Sequence, residues 1–283
     1  MPYRRNAPLP VLILTLFAAG PAAAQFAGSG EQLKRYTECM SLARSEPMRA
    51  LPMAEKWMAE GGNLGARHCV ALATLLTGRP QQAAAQFEAI ARDMGIDRPG
   101  LRAELWGQAG QAWMEAGLAE RAAAAQSMAI DLKPKDAELR VDRGLSYAAM
   151  QAWPRAISDF DQALQLQPND VEVLVLRAAA WRNAKDPAKA LADAERALRL
   201  APEHSEALLE RGFAHLARGE KPAASADFNK VLKIVPPESD AAQRAQSGLR
   251  GDLPTPPPLQ PAPAAPGASV SPPVPAAPVK KPR

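Results

Sequence analysis

Four prolines, Pro134, Pro168, Pro202 and Pro236, stand 34 residues apart. A fixed interval of that size constrains the fold more than any other feature, because it marks a chain that stacks one small unit upon itself. Aligning on the prolines brings further positions into phase. Gly110, Gly144, Ala178 and Gly212 share a column of small residues. Trp113, Tyr147, Trp181 and His215 follow three positions later. Ala122, Ala156, Ala190 and Ala224 form a second small column, Phe160 and Phe228 a bulky one, and Ala129, Ala163, Ala197 and Val231 a third small one.

The period has a physical explanation. Each unit has room for two helices of about 12 to 15 residues, and neither can bury its apolar stripe alone. Proline stops the second helix, and Asp136 or Asp170 is placed to cap the next one. Small columns let paired helices approach, and large ones fill the space between. Upstream, Ala83 to Met94 has the same look, with Phe87 four residues after Ala83, which implies an earlier unit from about Leu64 to Asp97 and a five-residue insertion before the regular array. Glu31 to Glu60 reads as two helical runs divided around Glu46 and Pro47, with Gly61-Gly62-Asn63 as a turn.

This pattern resembles the tetratricopeptide repeat family over residues 103 to 236, four units without a gap. Trp106 keeps the family's leading aromatic, which Arg140, Leu174 and Leu208 replace in later units. The resemblance implies an all-α fold, a right-handed α-solenoid of about six antiparallel helix pairs closed by a C-terminal helix. The expected organisation is a signal peptide over 1–24, degenerate units over 25–102, four regular units over 103–236, a capping helix over 237–252, and a disordered proline- and alanine-rich tail over 253–283.

The formal net charge is +4, but Arg4, Arg5, Lys280, Lys281 and Arg283 sit at the extremes. Without those five, 29 bases face 30 acids. Basicity confined to the tails argues against a nucleic-acid partner. Arg4 and Arg5, the apolar run Leu9 to Ala19, and Ala22-Ala23-Ala24 before Gln25 have the layout of a cleaved secretory signal. The expected address is therefore periplasmic; the alternative is an anchor left in the membrane. The Ala/Arg/Pro-rich composition fits a GC-rich bacterial gene. In an exported chain the two cysteines, Cys39 and Cys69, suggest one disulfide rather than two buried thiols. On the repeat reading they lie on the first helices of adjacent units. The last thirty residues hold twelve prolines and suit a solubilising tail or linker. Contact of Lys280, Lys281 and Arg283 with lipid or cell-wall polymer is the sharper alternative.

Catalytic constellations are not evident. The histidines are His68, His204 and His215, and no two histidines or cysteines have metal-ligand spacing. A Cys–His nucleophile is conceivable at His68 and Cys69. The expectation is no catalysis, no cofactor and no metal. Arg143, Arg177 and Arg211 share one column and Asp159, Asp193 and Asp227 another, sixteen residues on. The unit from 103 has alanine in both, so an Arg–Asp pair within each later unit is expected.

The resemblance further implies that the first helix of each unit lines a concave groove for a protein or peptide partner. Carried over column by column, that groove comprises Gln111, Met114, Val141, Leu145, Val175, Ala179, Arg182, Asn183, Leu209 and Phe213. Glu104, Glu138, Glu172 and Glu206 recur at the starts of first helices, where acids favour the helix dipole. The groove is too apolar for a carboxylate clamp and suits an extended or helical apolar peptide. The leading function is a non-catalytic envelope scaffold; a soluble receptor for a peptide or small molecule is the alternative.

Overall fold

The computed structural model describes Phe26, Gly28 and residues 30–254. The expected signal segment and tail termini lie outside the described residues. Residues 31–249 form thirteen helices: α1 (Glu31–Ser45), α2 (Pro47–Ala59), α3 (Leu64–Leu76), α4 (Pro80–Asp93), α5 (Pro99–Glu115), α6 (Ala119–Leu132), α7 (Ala137–Ala149), α8 (Trp153–Leu166), α9 (Val171–Asn183), α10 (Pro187–Leu200), α11 (Ser205–Ala217), α12 (Lys221–Ile234) and α13 (Asp240–Leu249). No strand occurs among the described residues. Each helix packs on the next, giving six pairs and a lone closing helix.

The periodic prolines act where expected. Helices α6, α8, α10 and α12 end at Leu132, Leu166, Leu200 and Ile234, each two residues before its proline. The next helix then starts on a side-chain cap. Asp136 accepts hydrogen bonds from the amides of Glu138 and Leu139, and Asp170 from that of Val173. His204 stands in the same column and caps α11 through Nδ1, at 3.2 Å from the Ala207 amide. Within the units, the turn column holds Gly117, Gln151, Lys185 and Gly219, all with positive φ.

Close packing follows the small columns. A Cβ on Gly144 would lie 2.6 Å from the ring of Phe160, and one on Gly212 the same distance from that of Phe228. Where Ala178 replaces the glycine, the residue sixteen positions on shrinks to Ala194. The pairs are therefore matched in volume, unit by unit. Arg143 and Arg211 each grip an aspartate sixteen residues on, Asp159 at 2.7 and 2.8 Å and Asp227 at 2.5 and 2.8 Å. In the unit lacking both, Ala109 and Ala125 close the gap and are buried.

The core falls into two clusters, one running from Phe26 to Leu139 and the other from Ala137 to Ala245. Between them, where α6 meets α7, lies a polar seam. Ser146 donates to Gln126 at 2.7 Å with both buried, and Arg143 donates to Ser127 at 3.1 Å. At the N-terminal end Cys39 on α1 and Cys69 on α3 form the expected disulfide, with their Cα atoms 6.2 Å apart.

Candidate functional site

First helices of neighbouring pairs touch one another, α1 with α3, α5 with α7 and α9 with α11. Contact between successive second helices is slight or absent, so the stack curves with its first helices inside. One column runs along this inner side at the repeat period: Gln108, Asp142, Leu176, Glu210 and Arg244. Several members are tied to a neighbouring first helix. His68 Nε2 lies 2.8 Å from Gln108, Gln111 donates to Asp142 at 3.3 Å, and Arg182 donates to Glu210 at 2.8 Å. Burial pushes the Asp142 carboxyl up to about 6, with Gln111 pulling down and Glu138 and Asp136 adding to the rise.

The ten residues expected to line the groove divide into two groups. Gln111, Met114, Val141, Leu145, Ala179 and Asn183 are half-exposed on the inner side, and Arg182 keeps 11% of its side chain exposed. Val175, Leu209 and Phe213 are buried, at 7%, 0% and 1% exposure, and cannot form a groove floor in this arrangement. The cause is α13. It takes the position of a seventh first helix and packs against α11 and α12. Gly248 lies flat on the Phe228 ring, leaving no room for a Cβ.

A charge cluster clamps that end. Arg182 donates to both carboxylate oxygens of Glu210, at 2.8 and 3.3 Å. Arg244 of α13 reaches Glu210 at 3.1 Å and Glu206 at 2.6 Å. Both guanidinium groups also sit over the Phe213 ring, 5.6 and 5.9 Å from its centroid. Glu210 has two cationic partners and 3% side-chain exposure, so its burial as an anion is compensated. Glu104 and Glu172 likewise reach Lys133 and His204, so this acidic column has side-chain partners besides serving the helix dipole.

The His68–Cys69 pair does not form a nucleophile. Cys69 is in the disulfide, so it offers no thiolate. His68 is buried, with Nδ1 2.7 Å from the Tyr36 hydroxyl and the Phe26 ring stacked on it at 4.1 Å. Burial lowers its pKa to about 4. Among the described residues no group of three or more His, Cys, Asp or Glu is placed to hold a metal ion. No described helix is long and apolar enough to cross a membrane.

The model of one family, the tetratricopeptide repeat, matches residues 110–180 and 176–249. The chain belongs to the tetratricopeptide repeat family. Among solved structures, the C-terminal part of a tetratricopeptide repeat-containing protein from Cytophaga hutchinsonii is 17% identical, with a TM-score of 0.62 over 75% of this chain and 85% of that one. MamA of Desulfovibrio magneticus RS-1 is 19% identical, with a TM-score of 0.53 over 59% of this chain and 92% of that one. A further MamA structure is 16% identical, with a TM-score of 0.52 over 68% and 98%. At these identities the likeness is one of fold. No curated protein matches the chain by sequence.

Tetratricopeptide repeat proteins are generally non-catalytic scaffolds that bind proteins or peptides. Their superhelical stacking creates an extended concave surface, which is the physical basis of that use. In this repeat protein the aromatic column also carries cations, which the alignment on the prolines did not single out. Arg121 lies over Trp113, Arg155 over Tyr147 and Lys189 over Trp181, each cation eight residues after its ring. The signal was present as a basic column at the repeat period, and its members lie over the rings.

Proposed function

We propose that the chain is a non-catalytic protein–protein interaction scaffold of a bacterial cell envelope, holding a peptide segment along the inner faces of α5, α7 and α9. The observation that carries this reading is the open stretch of the concave side. Met114, Val141, Leu145 and Ala179 are half-exposed there, beside the Asp142 carboxyl that Gln111 holds. An extended or helical apolar segment fits such a surface. The envelope address is supported by the signal-like first 24 residues and by a disulfide, which persists in oxidising compartments.

The test is affinity capture from envelope extract with the mature chain beside a Leu145→Glu, Ala179→Glu variant shown by circular dichroism to be folded. A partner kept by the first and lost by the second supports the groove. Equal capture by both places the interaction elsewhere.

A further inference from the structure

A shift of two repeat units carries one level of the inner side onto another. Met114, Asp142 and Leu176, on α5, α7 and α9, become Arg182, Glu210 and Arg244, on α9, α11 and α13. In the same shift Glu138 becomes Glu206. Each level therefore has two acids one helical turn apart on its central helix, Glu138 and Asp142 on α7, Glu206 and Glu210 on α11. The two levels differ in what neutralises them.

On α11 both flanking positions supply a guanidinium. Arg244 bridges the acids, at 2.6 Å from Glu206 and 3.1 Å from Glu210, and Arg182 meets Glu210 at 2.8 Å. On α7 the same flanks hold Met114 and Leu176, both half-buried and uncharged. Among the described residues no basic side chain lies within ion-pair distance of Glu138 or Asp142. The Asp142 carboxyl accepts a side-chain hydrogen bond from Gln111 at 3.3 Å. Burial without a cation leaves that carboxyl raised to about 6. The lower level is thus an anionic pair with an apolar frame, and the upper level shows which group such a pair accepts.

We propose that the peptide segment held on the inner side presents an arginine to α7, its guanidinium spanning Glu138 and Asp142 as Arg244 spans Glu206 and Glu210. This rests on the reading of that side as the peptide surface. The aliphatic stem of the arginine lies along Met114 and Leu176 while its planar fork meets the carboxylates. Apolar contact then supplies affinity, and the charge sets the register and the choice of segment.

The test is selection of random dodecapeptides on the immobilised mature chain, disulfide intact, beside Asp142→Asn and Leu145→Glu variants shown by circular dichroism to be folded. Peptides taken by the unaltered chain and lost with Leu145→Glu should share an arginine among apolar residues. Replacing that arginine with citrulline, its neutral counterpart, should weaken binding to the unaltered chain about tenfold and leave binding to Asp142→Asn unchanged. Should Asp142→Asn fail to fold, Glu138→Gln, at an exposed position, carries the same comparison. Peptides that need Leu145 but share no arginine would overturn this inference and leave the groove standing. An arginine whose replacement weakens both proteins equally would do the same. Peptides indifferent to Leu145→Glu, or none selected at all, would remove the groove reading and this inference with it.

Discussion

Arg177 and Asp193 face each other across one helix pair, joined by two hydrogen bonds of 2.7 and 2.6 Å. The third arm of the same guanidinium reaches Asp161 on the preceding pair at 2.7 Å. One side chain therefore fixes the register inside a unit and fastens that unit to its neighbour. Removing Arg177 leaves Asp193, with 10% side-chain exposure, as an unpaired carboxylate. Arg177→Met and Asp193→Leu should each cost about 3 kcal/mol, and the double variant should cost clearly less than their sum. Urea unfolding of the four proteins checks this; strict additivity would show that the pair is idle.

The glycine opposite Phe160 should respond with the opposite sign to ordinary helix propensity. In an exposed helix Gly→Ala gains about 1 kcal/mol. At Gly144 the added methyl would meet the Phe160 ring at 2.6 Å, inside a closely packed pair. Gly144→Ala should instead destabilise by about 1 to 3 kcal/mol. A melting temperature that rises in this variant would contradict the packing account.

Lys185 offers a stabilising change. It holds φ of 66° in a turn column where two of the four members are glycine. A left-handed backbone costs a side-chain-bearing residue about 1 kcal/mol. Lys185→Gly should therefore raise stability by up to about that amount, less the extra entropy glycine gives the unfolded chain. Thermal unfolding of the single variant is sufficient to read the sign.

Acid sensitivity should centre on His68. Its surroundings are the Tyr36 hydroxyl, Gln108, the rings of Phe26 and Phe87, and the more distant charge of Arg44. Its pKa is depressed to about 4 from an ordinary 6.5, so the unfolded chain takes up the proton first as pH falls. The stabilisation from keeping this ring neutral is present in full above pH 6.5 and is lost progressively down to about pH 4. The total is roughly 3 kcal/mol. His68→Gln should flatten that part of the profile by about one proton, measured as the pH slope of the unfolding free energy.

Much of this architecture was legible in the sequence because repetition exposes it. The Arg–Asp pairs, the aspartate caps and the proline stops each occur several times in one column, so each could be read as a rule. The burial of Leu209 and Phe213 was not legible in the same way. Their covering helix keeps the period, Arg244 falling 34 residues after Glu210, but it is short and polar and has no second helix beside it among the described residues. The hint was one column holding Glu210 and Arg244, opposite charges at adjacent levels. Phe26 lies outside the period altogether, so its stacking on His68 could be found only from the fold.

The polar seam between α6 and α7 has a mechanical consequence. In a linear array each level is held only by its neighbours, so failure starts at the interface with the least apolar contact. The Gln126–Ser146 bond, buried at both ends, and the partly buried Arg143–Ser127 bond are directional and contribute less than the packed rings on either side. Under tension or heat the rod should part there first. Below it, α1 and α3 would stay joined through Cys39 and Cys69, and the half above has no such covalent tie among the described residues.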